Sequence, residues 1–240
     1  MIISGARLYN VGYVVDTQPA SLPASLILNL DAANYSAVPT NGSTLPGSGN
    51  YTVTVNNAGS SMSWNSANGG IFRKTSTTTT DFMTFGPDYS STTQPYTVFM
   101  VYRSGSTAGR LLNANSASPD WLMGVWDSPS NIQDIFFNGA FVGASNTAAD
   151  GTWRFGWFIF DGSNLTSAYA AGSSQPTTTF GTRAGTGGFQ GLRLFGRYST
   201  ASASVEVPVA DCALVQLYSS ALTLTQVQSL WSTYRTRFGY

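Results

Sequence analysis

The segment Leu222–Tyr240, LTLTQVQSLWSTYRTRFGY, is the one clearly helical stretch in a chain of short strands, Gly-rich turns and Ser/Thr-rich loops. Thr223 followed three residues later by Gln226 is a capping box, in which the two residues satisfy each other's open N–H groups at a helix start. Val227, Leu230, Trp231 and Tyr234 recur at i, i+3, i+4 and i+7 and form one apolar stripe. Arg235 and Arg237 put positive charge at the C-terminal end, where the helix dipole favours it, and Gly239 reads as the stop. These signals predict a short amphipathic helix over 224–237, docked by its stripe onto the edge or end of whatever precedes it.

What precedes it is β. LILNLD (26–31) and YTVTVNN (51–57) alternate apolar and polar residues, as half-buried strands do. PYTVFMVYR (95–103) and TWRFGWFIFDG (152–162) are apolar on both alternating faces, the pattern of strands lying between covered layers. In the second, Trp153, Phe155, Trp157 and Ile159 share one side and Phe158 and Phe160 the other. Residues 61–87 read as two short strands around a polar run, Thr75 to Thr80. Asn138-Gly139 between Phe-rich runs signals a two-residue hairpin. About a dozen strands at this spacing predict an all-β sandwich in a single domain. Residues 1–24, with Pro19 and Pro23, read as an extended arm or as a first strand and loop of the same domain.

Composition narrows the function. Charged residues are only 9% of the 240, and 11 basic balance 11 acidic. Arginine is scattered and lysine occurs once, at Lys74, so the clustered cation that a nucleic-acid partner needs is missing. No apolar run approaches the ~20 residues of a membrane span. The N-terminal residues lack the charged and apolar regions of a secretory signal. Cys212, the single cysteine, lies in an apolar strand-like run and reads as a small core residue.

The C-terminal run VPVADCALVQLYSSALTLTQVQSLWSTYRTRFGY (207–240) resembles the end of laminin-G-like, concanavalin A-like jelly-roll domains. The matching positions are Leu217-Tyr218, Leu222-Thr223 and Arg237-Phe238-Gly239, with Gln226 where the family usually has Glu. Leu30-Asp31-Ala32 is similar to the family's opening strand, YTVFMVYR to its central strand, and GTWRFGWFIFDGS to its Trp-to-Asp-Gly-Ser hairpin. The resemblance spans about residues 25–240. It implies a concanavalin A-like jelly-roll of two antiparallel sheets, of a kind frequent in tailed-bacteriophage virion proteins.

Relatives of this fold include glucanases, which use a pair of Glu on one strand. This chain has one Glu, Glu206, so the pair that retaining hydrolysis requires is missing. With no His there is no ordinary triad or zinc site. The chain is therefore expected not to be an enzyme, with no catalytic residue, no cofactor and no resident metal. Calcium, common in relatives, would have to draw on Asp120, Asp127 and Asp134, whose spacing matches no calcium loop. Sugar binding is the serious alternative: SPDWLMGVWDSPSN (118–131) offers Trp121 and Trp126 as an aromatic plate, with Asp120, Asp127 and Asn131 for hydroxyls. The stronger reading of both Trp is as core residues, the commoner fate of the side chain.

Two functions follow as expectations. The first is a virion structural protein, a decoration or appendage module at the particle surface. There it would form a homo-oligomer and bind neighbouring virion proteins through residues 1–24. The second is an adhesin for a host surface glycan. Neither needs nucleic acid or a membrane as partner.

Overall fold

The computed structural model describes residues 22–43, 52–86, 94–105, 109–115, 121–125, 132–137, 140–141, 151–176, 181–185, 191–200 and 203–240. Strands are numbered in chain order. One sheet carries β13 (Gly181–Ala184), β12 (Asn164–Ala171), β11 (Arg154–Phe160), β6 (Tyr96–Ser104), β17 (Ala210–Tyr218), β4 (Ile71–Lys74) and β3 (Met62–Asn65), in that spatial order. Its eighth strand, β1 (Leu26–Asp31), also pairs with β17. The facing sheet runs β10 (Ala140–Phe141), β9 (Ile132–Phe137), β8 (Trp121–Val125), β7 (Gly109–Asn113), β14 (Leu192–Leu194), β5 (Asp81–Gly86) and β2 (Thr52–Asn57). A separate hairpin pairs β15 (Arg197–Thr200) with β16 (Ala203–Val205). Every pairing is antiparallel.

The strands outnumber the expected dozen because β10, β14 and β16, two or three residues each, are too short to show an alternation. Residues 61–87 hold three strands rather than two. Met62–Asn65 and Ile71–Lys74 form a hairpin closed by Asn68, Gly69 and Gly70, all at positive φ. The polar run Thr75 to Thr80 is a loop leading from β4 to β5 in the other sheet. Ala140 pairs with Phe137, so two residues separate β9 from β10, as the Asn-Gly signal predicts.

The sandwich has two apolar layers, and strand alternation decides which side chain enters which. Between the sheets lie Val98, Met100, Phe158, Phe160, Val215 and Leu217 with residues of the facing sheet such as Met83, Phe85, Leu192 and Leu194. On the outer face of the eight-stranded sheet lie Phe99, Val101, Trp153, Phe155, Trp157 and Tyr218. Cys212 is buried in the inter-sheet layer, as expected, and burial pushes its thiol pKa up to about 12.

The outer layer is covered by the C-terminal helix. α1 (Leu224–Tyr234) begins at Thr223 with the capping box closed and buries Val227, Leu230, Trp231 and Tyr234. Fully burying one such side chain contributes about 2 kcal/mol. A 3-10 turn over Arg235–Phe238 follows, and Gly239 ends it in the left-handed region. The helix therefore lies on the face of the central strands rather than at an edge or end. The reason is already in β6 and β11, whose second apolar face needs a cover. A polar lock sits inside this contact: Gln216 Nε2 donates to Asn29 Oδ1 (3.0 Å) and to the Tyr234 hydroxyl (2.8 Å), and Tyr218 donates to Gln216 Oε1 (2.7 Å).

Of the arm, residues 1–21 lie outside the described residues. Leu22 packs partly buried against the helix-side layer.

Candidate functional site

Trp121 opens β8 and is 1% exposed. Its ring meets Phe160 edge to face at 6.2 Å, and Met123 points the same way into the inter-sheet layer. With no face open to solvent it cannot stack on a sugar, which corrects that half of the sequence reading. Its alternation within β8 is the cause: residues 121 and 123 share the inter-sheet face. The other expected site residues, Asp120, Trp126, Asp127 and Asn131, lie outside the described residues, as do two of the three calcium candidates. The third, Asp134, pairs with Gly124 in the β8–β9 ladder. Among the described residues no three Cys, Asp or Glu side chains gather to hold a metal.

A cavity of about 300 Å³ opens at one end of the eight-stranded sheet, beside the helix-covered layer. It is small for a ligand site, yet within the usual range. Its polar wall is a row of three charged residues on three adjacent strands. Asp211 on β17 stands opposite Arg73 on β4 and opposite Arg103 on β6. Arg73 donates from Nε to Asp211 Oδ1 (2.8 Å) and from Nη2 to Oδ2 (3.1 Å). Arg103 donates from Nε to Oδ2 (2.6 Å), and its guanidinium lies 5.0 Å from the Trp153 ring centroid.

Asp211 is nearly closed off, its side chain 8% exposed, whereas Arg73 and Arg103 are 34% and 33% exposed. The carboxylate is thus the internal strut, and the guanidinium groups face the cavity. The hydrogen bond to Asp211 raises the pKa of Arg73 above its already high value. Gly105 and Gly151 complete the rim. Gly151 adopts φ +71 with open space where a side chain would stand, which keeps this side of the mouth clear. Lys74 also lines the cavity, but its ammonium group turns inward to the Thr78 carbonyl (2.9 Å) and to Ser61.

Two other charged groups hold the sandwich together. Lys74, Ser61 and Asp81 form a buried chain joining the two sheets. Lys74 donates to Ser61 Oγ, which donates to Asp81, and Asp81 also accepts from the backbone of Gly59 (2.7 Å) and Ser61 (2.6 Å). These donors lower the Asp81 pKa against the opposing effect of burial. On the seven-stranded sheet, Arg193 stacks 3.6 Å over Phe82 and 5.2 Å from Tyr198, while Arg110 donates to Glu206. Burial lowers the Arg193 pKa to about 10.

No family model matches the chain, and no curated protein matches it by sequence. Solved structures do match. The binding domain of Paraclostridial Mosquitocidal Protein 1 superposes with a TM-score of 0.62 at 11% identity, over 89% of this chain and 53% of that one. The fold is a lectin-like β-sandwich. The ligand binding domain of botulinum neurotoxin serotype D, in complex with N-acetylneuraminic acid, gives 0.57 at 10% identity, covering 87% and 50%. Domain 4 of AbnA, an extracellular arabinanase from Geobacillus stearothermophilus, in complex with arabinotriose, gives 0.51 at 14% identity, covering 86% and 98%. The chain spans about half the length of the two toxin domains.

Proposed function

We propose that this protein is a non-catalytic carbohydrate-binding module whose ligand enters the cavity walled by Arg73 and Arg103. The observation that carries the reading is the cross-strand Arg–Asp–Arg row, with two oriented, partly exposed guanidinium groups beside an open glycine rim. Sugar sites need polar groups fixed in advance, because a glycan brings many hydroxyls and loses torsional freedom when held. The structural neighbours support the class of ligand, since two of them carry sugars. Absence of catalysis is an expectation from the sequence, whose single Glu206 cannot supply the pair of Glu that the glucanases of this fold use.

The test is retention on a panel of immobilised polysaccharides and on a glycan array, comparing the wild type with Arg103→Ala. The wild type is expected to be held by at least one glycan, without release of reducing ends, and Arg103→Ala to elute early when equal amounts of folded protein are compared well below the melting temperature of both. Equal retention of both proteins would place the ligand elsewhere.

A virion setting, as head decoration or appendage, is a second proposal. It rests on the resemblance of residues 25–240 alone and is compatible with glycan binding at a particle surface. Co-sedimentation with intact particles, lost on deleting residues 2–22, checks it.

A further inference from the structure

The geometry points to an acidic glycan as the ligand of this cavity: a sugar bearing a carboxylate or sulfate, held between the outward edges of Arg73 and Arg103. The inference rests on the glycan-binding reading above and goes further by fixing the charge of what is bound.

The donor and acceptor inventory decides it. Asp211 already accepts three N–H groups from the two arginines, so its carboxylate has little capacity left for a ligand hydroxyl. Arg73 commits Nε and one Nη2 hydrogen, and Arg103 commits Nε alone, of the five N–H groups each carries. The outward Nη1/Nη2 edge of both guanidinium groups therefore retains donors with no partner among the described residues. Thr75 and Ser104 add hydroxyls to the lining, but the charged part of the wall mainly donates and suits a ligand rich in acceptors, whereas a neutral sugar hydroxyl also needs somewhere to place its proton.

Charge points the same way. Among the described residues, two arginines against one aspartate leave one unbalanced positive charge at the mouth, and Lys74 neither adds to it nor cancels it because its ammonium is paired inside with Asp81. An oxyanion with two accepting oxygens matches the planar guanidinium edge in a two-pronged hydrogen bond. Both arginines are also held in advance, Arg73 by its two bonds to Asp211 and Arg103 by its bond and the Trp153 ring. Little side-chain freedom is then lost when the ligand arrives.

The experiment titrates the full chain by calorimetry with trigalacturonate, its methyl-esterified neutral counterpart, sialyllactose, lactose, a sulfated oligosaccharide and inorganic sulfate. Each is repeated with Arg73→Gln, Arg103→Gln and Arg103→Lys. At least one acidic sugar is expected to bind ten-fold or more tightly than its neutral counterpart, with affinity falling as salt rises. The carboxylated and sulfated arms tell which oxyanion is preferred. Both Gln variants should weaken binding at least ten-fold. Arg103→Lys should weaken it less, since it keeps the charge without the planar edge.

If neutral and acidic partners bind alike, glycan binding stands and the acidic preference is overturned. If no sugar binds, both readings fall. If acidic sugar binds equally well to all variants, or inorganic sulfate binds as tightly as the sugars, the cavity is not an acidic-glycan site. Where a Gln variant melts early, Arg103→Lys decides the same point: acidic-sugar affinity that falls, though by less than ten-fold, supports the site, and unchanged affinity overturns it.

Discussion

Arg237 donates from Nη1 to Asp31 Oδ1 at 2.6 Å, joining residues 206 positions apart. Asp31 also accepts from the backbone N–H of Ala33 (2.9 Å) and so caps the turn after β1. Arg237 donates further to the carbonyls of Asn68 and Gly70 in the β3–β4 hairpin, and Asn68 returns a bond to the Arg237 carbonyl (3.1 Å). The last turn of the chain is thereby tied to its first strand and to a hairpin of the same sheet. Leu30-Asp31-Ala32 and Arg237-Phe238-Gly239, recognised separately in the sequence, meet in space.

Arg237→Ala removes one partner of a nearly buried pair and leaves Asp31 and two carbonyls without their donor. The expected loss is about 3 kcal/mol in urea unfolding. Arg237→Lys should restore only part of it, because an ammonium cannot reach three acceptors in one plane. Unfolding of Arg237→Ala at the wild-type urea midpoint would show that the tie is ornamental.

Gly70 is the point where that hairpin passes the turn after β1. A Cβ there would lie 2.4 Å from the Ala32 carbonyl oxygen, a backbone atom that cannot swing aside, and φ is +135. Gly42 also has positive φ, at +80, but open space around it. Thermal melts should therefore separate the two: Gly42→Ala costs about 1 kcal/mol from backbone strain, and Gly70→Ala several-fold more or fails to fold. Equal melting temperatures for the two variants would mean the hairpin can shift away from Ala32.

The fold was legible and the cavity was not, for physical reasons visible in particular residues. The two-faced apolar patterns of β6 and β11 announce two covers, and Val227, Leu230, Trp231 and Tyr234 announce a stripe needing a surface. Each is the other's partner, which is why the helix lies on the sheet face rather than at its rim. Arg73, beside Lys74, and Arg103 each look like charge at the end of an apolar strand. They become a row only through ladder register with Asp211, 138 and 108 positions away, and register over such spans leaves no local trace. Trp121 failed as a sugar plate because WLMGV is apolar at both alternating positions, so periodicity could not tell inward from outward.

That placement of Trp121 carries its own test. Trp121→Ala deletes a ring from the inter-sheet layer beside Phe160 and Phe137 and should cost on the order of 3–5 kcal/mol in denaturant unfolding. Trp121→Phe should cost less, since part of the volume is kept. Glycan retention per folded molecule should be the same in both as in the wild type. A normal melting temperature combined with lost retention would return the residue to the binding surface.

Lys74 gives the fold an unusual response to alkaline pH. Its ammonium is buried, and desolvation pulls the pKa down from 10.5 to about 8 despite the attraction of Asp81 at 3.9 Å. In the unfolded chain the same group holds its proton up to its ordinary value. Between about pH 8 and 10.5 the unfolded state therefore binds more protons than the folded one, and this residue's contribution to stability rises with pH. Other groups titrate in the same range, Cys212 among them, so the reference is Lys74→Met, which keeps those groups and removes the lysine. Denaturant unfolding from pH 7 to 10 is expected to show the wild type gaining stability relative to Lys74→Met above about pH 8. The opposite trend, with the wild type losing ground as pH rises, would mean that Asp81 and Ser61 hold the ammonium form more strongly than burial opposes it.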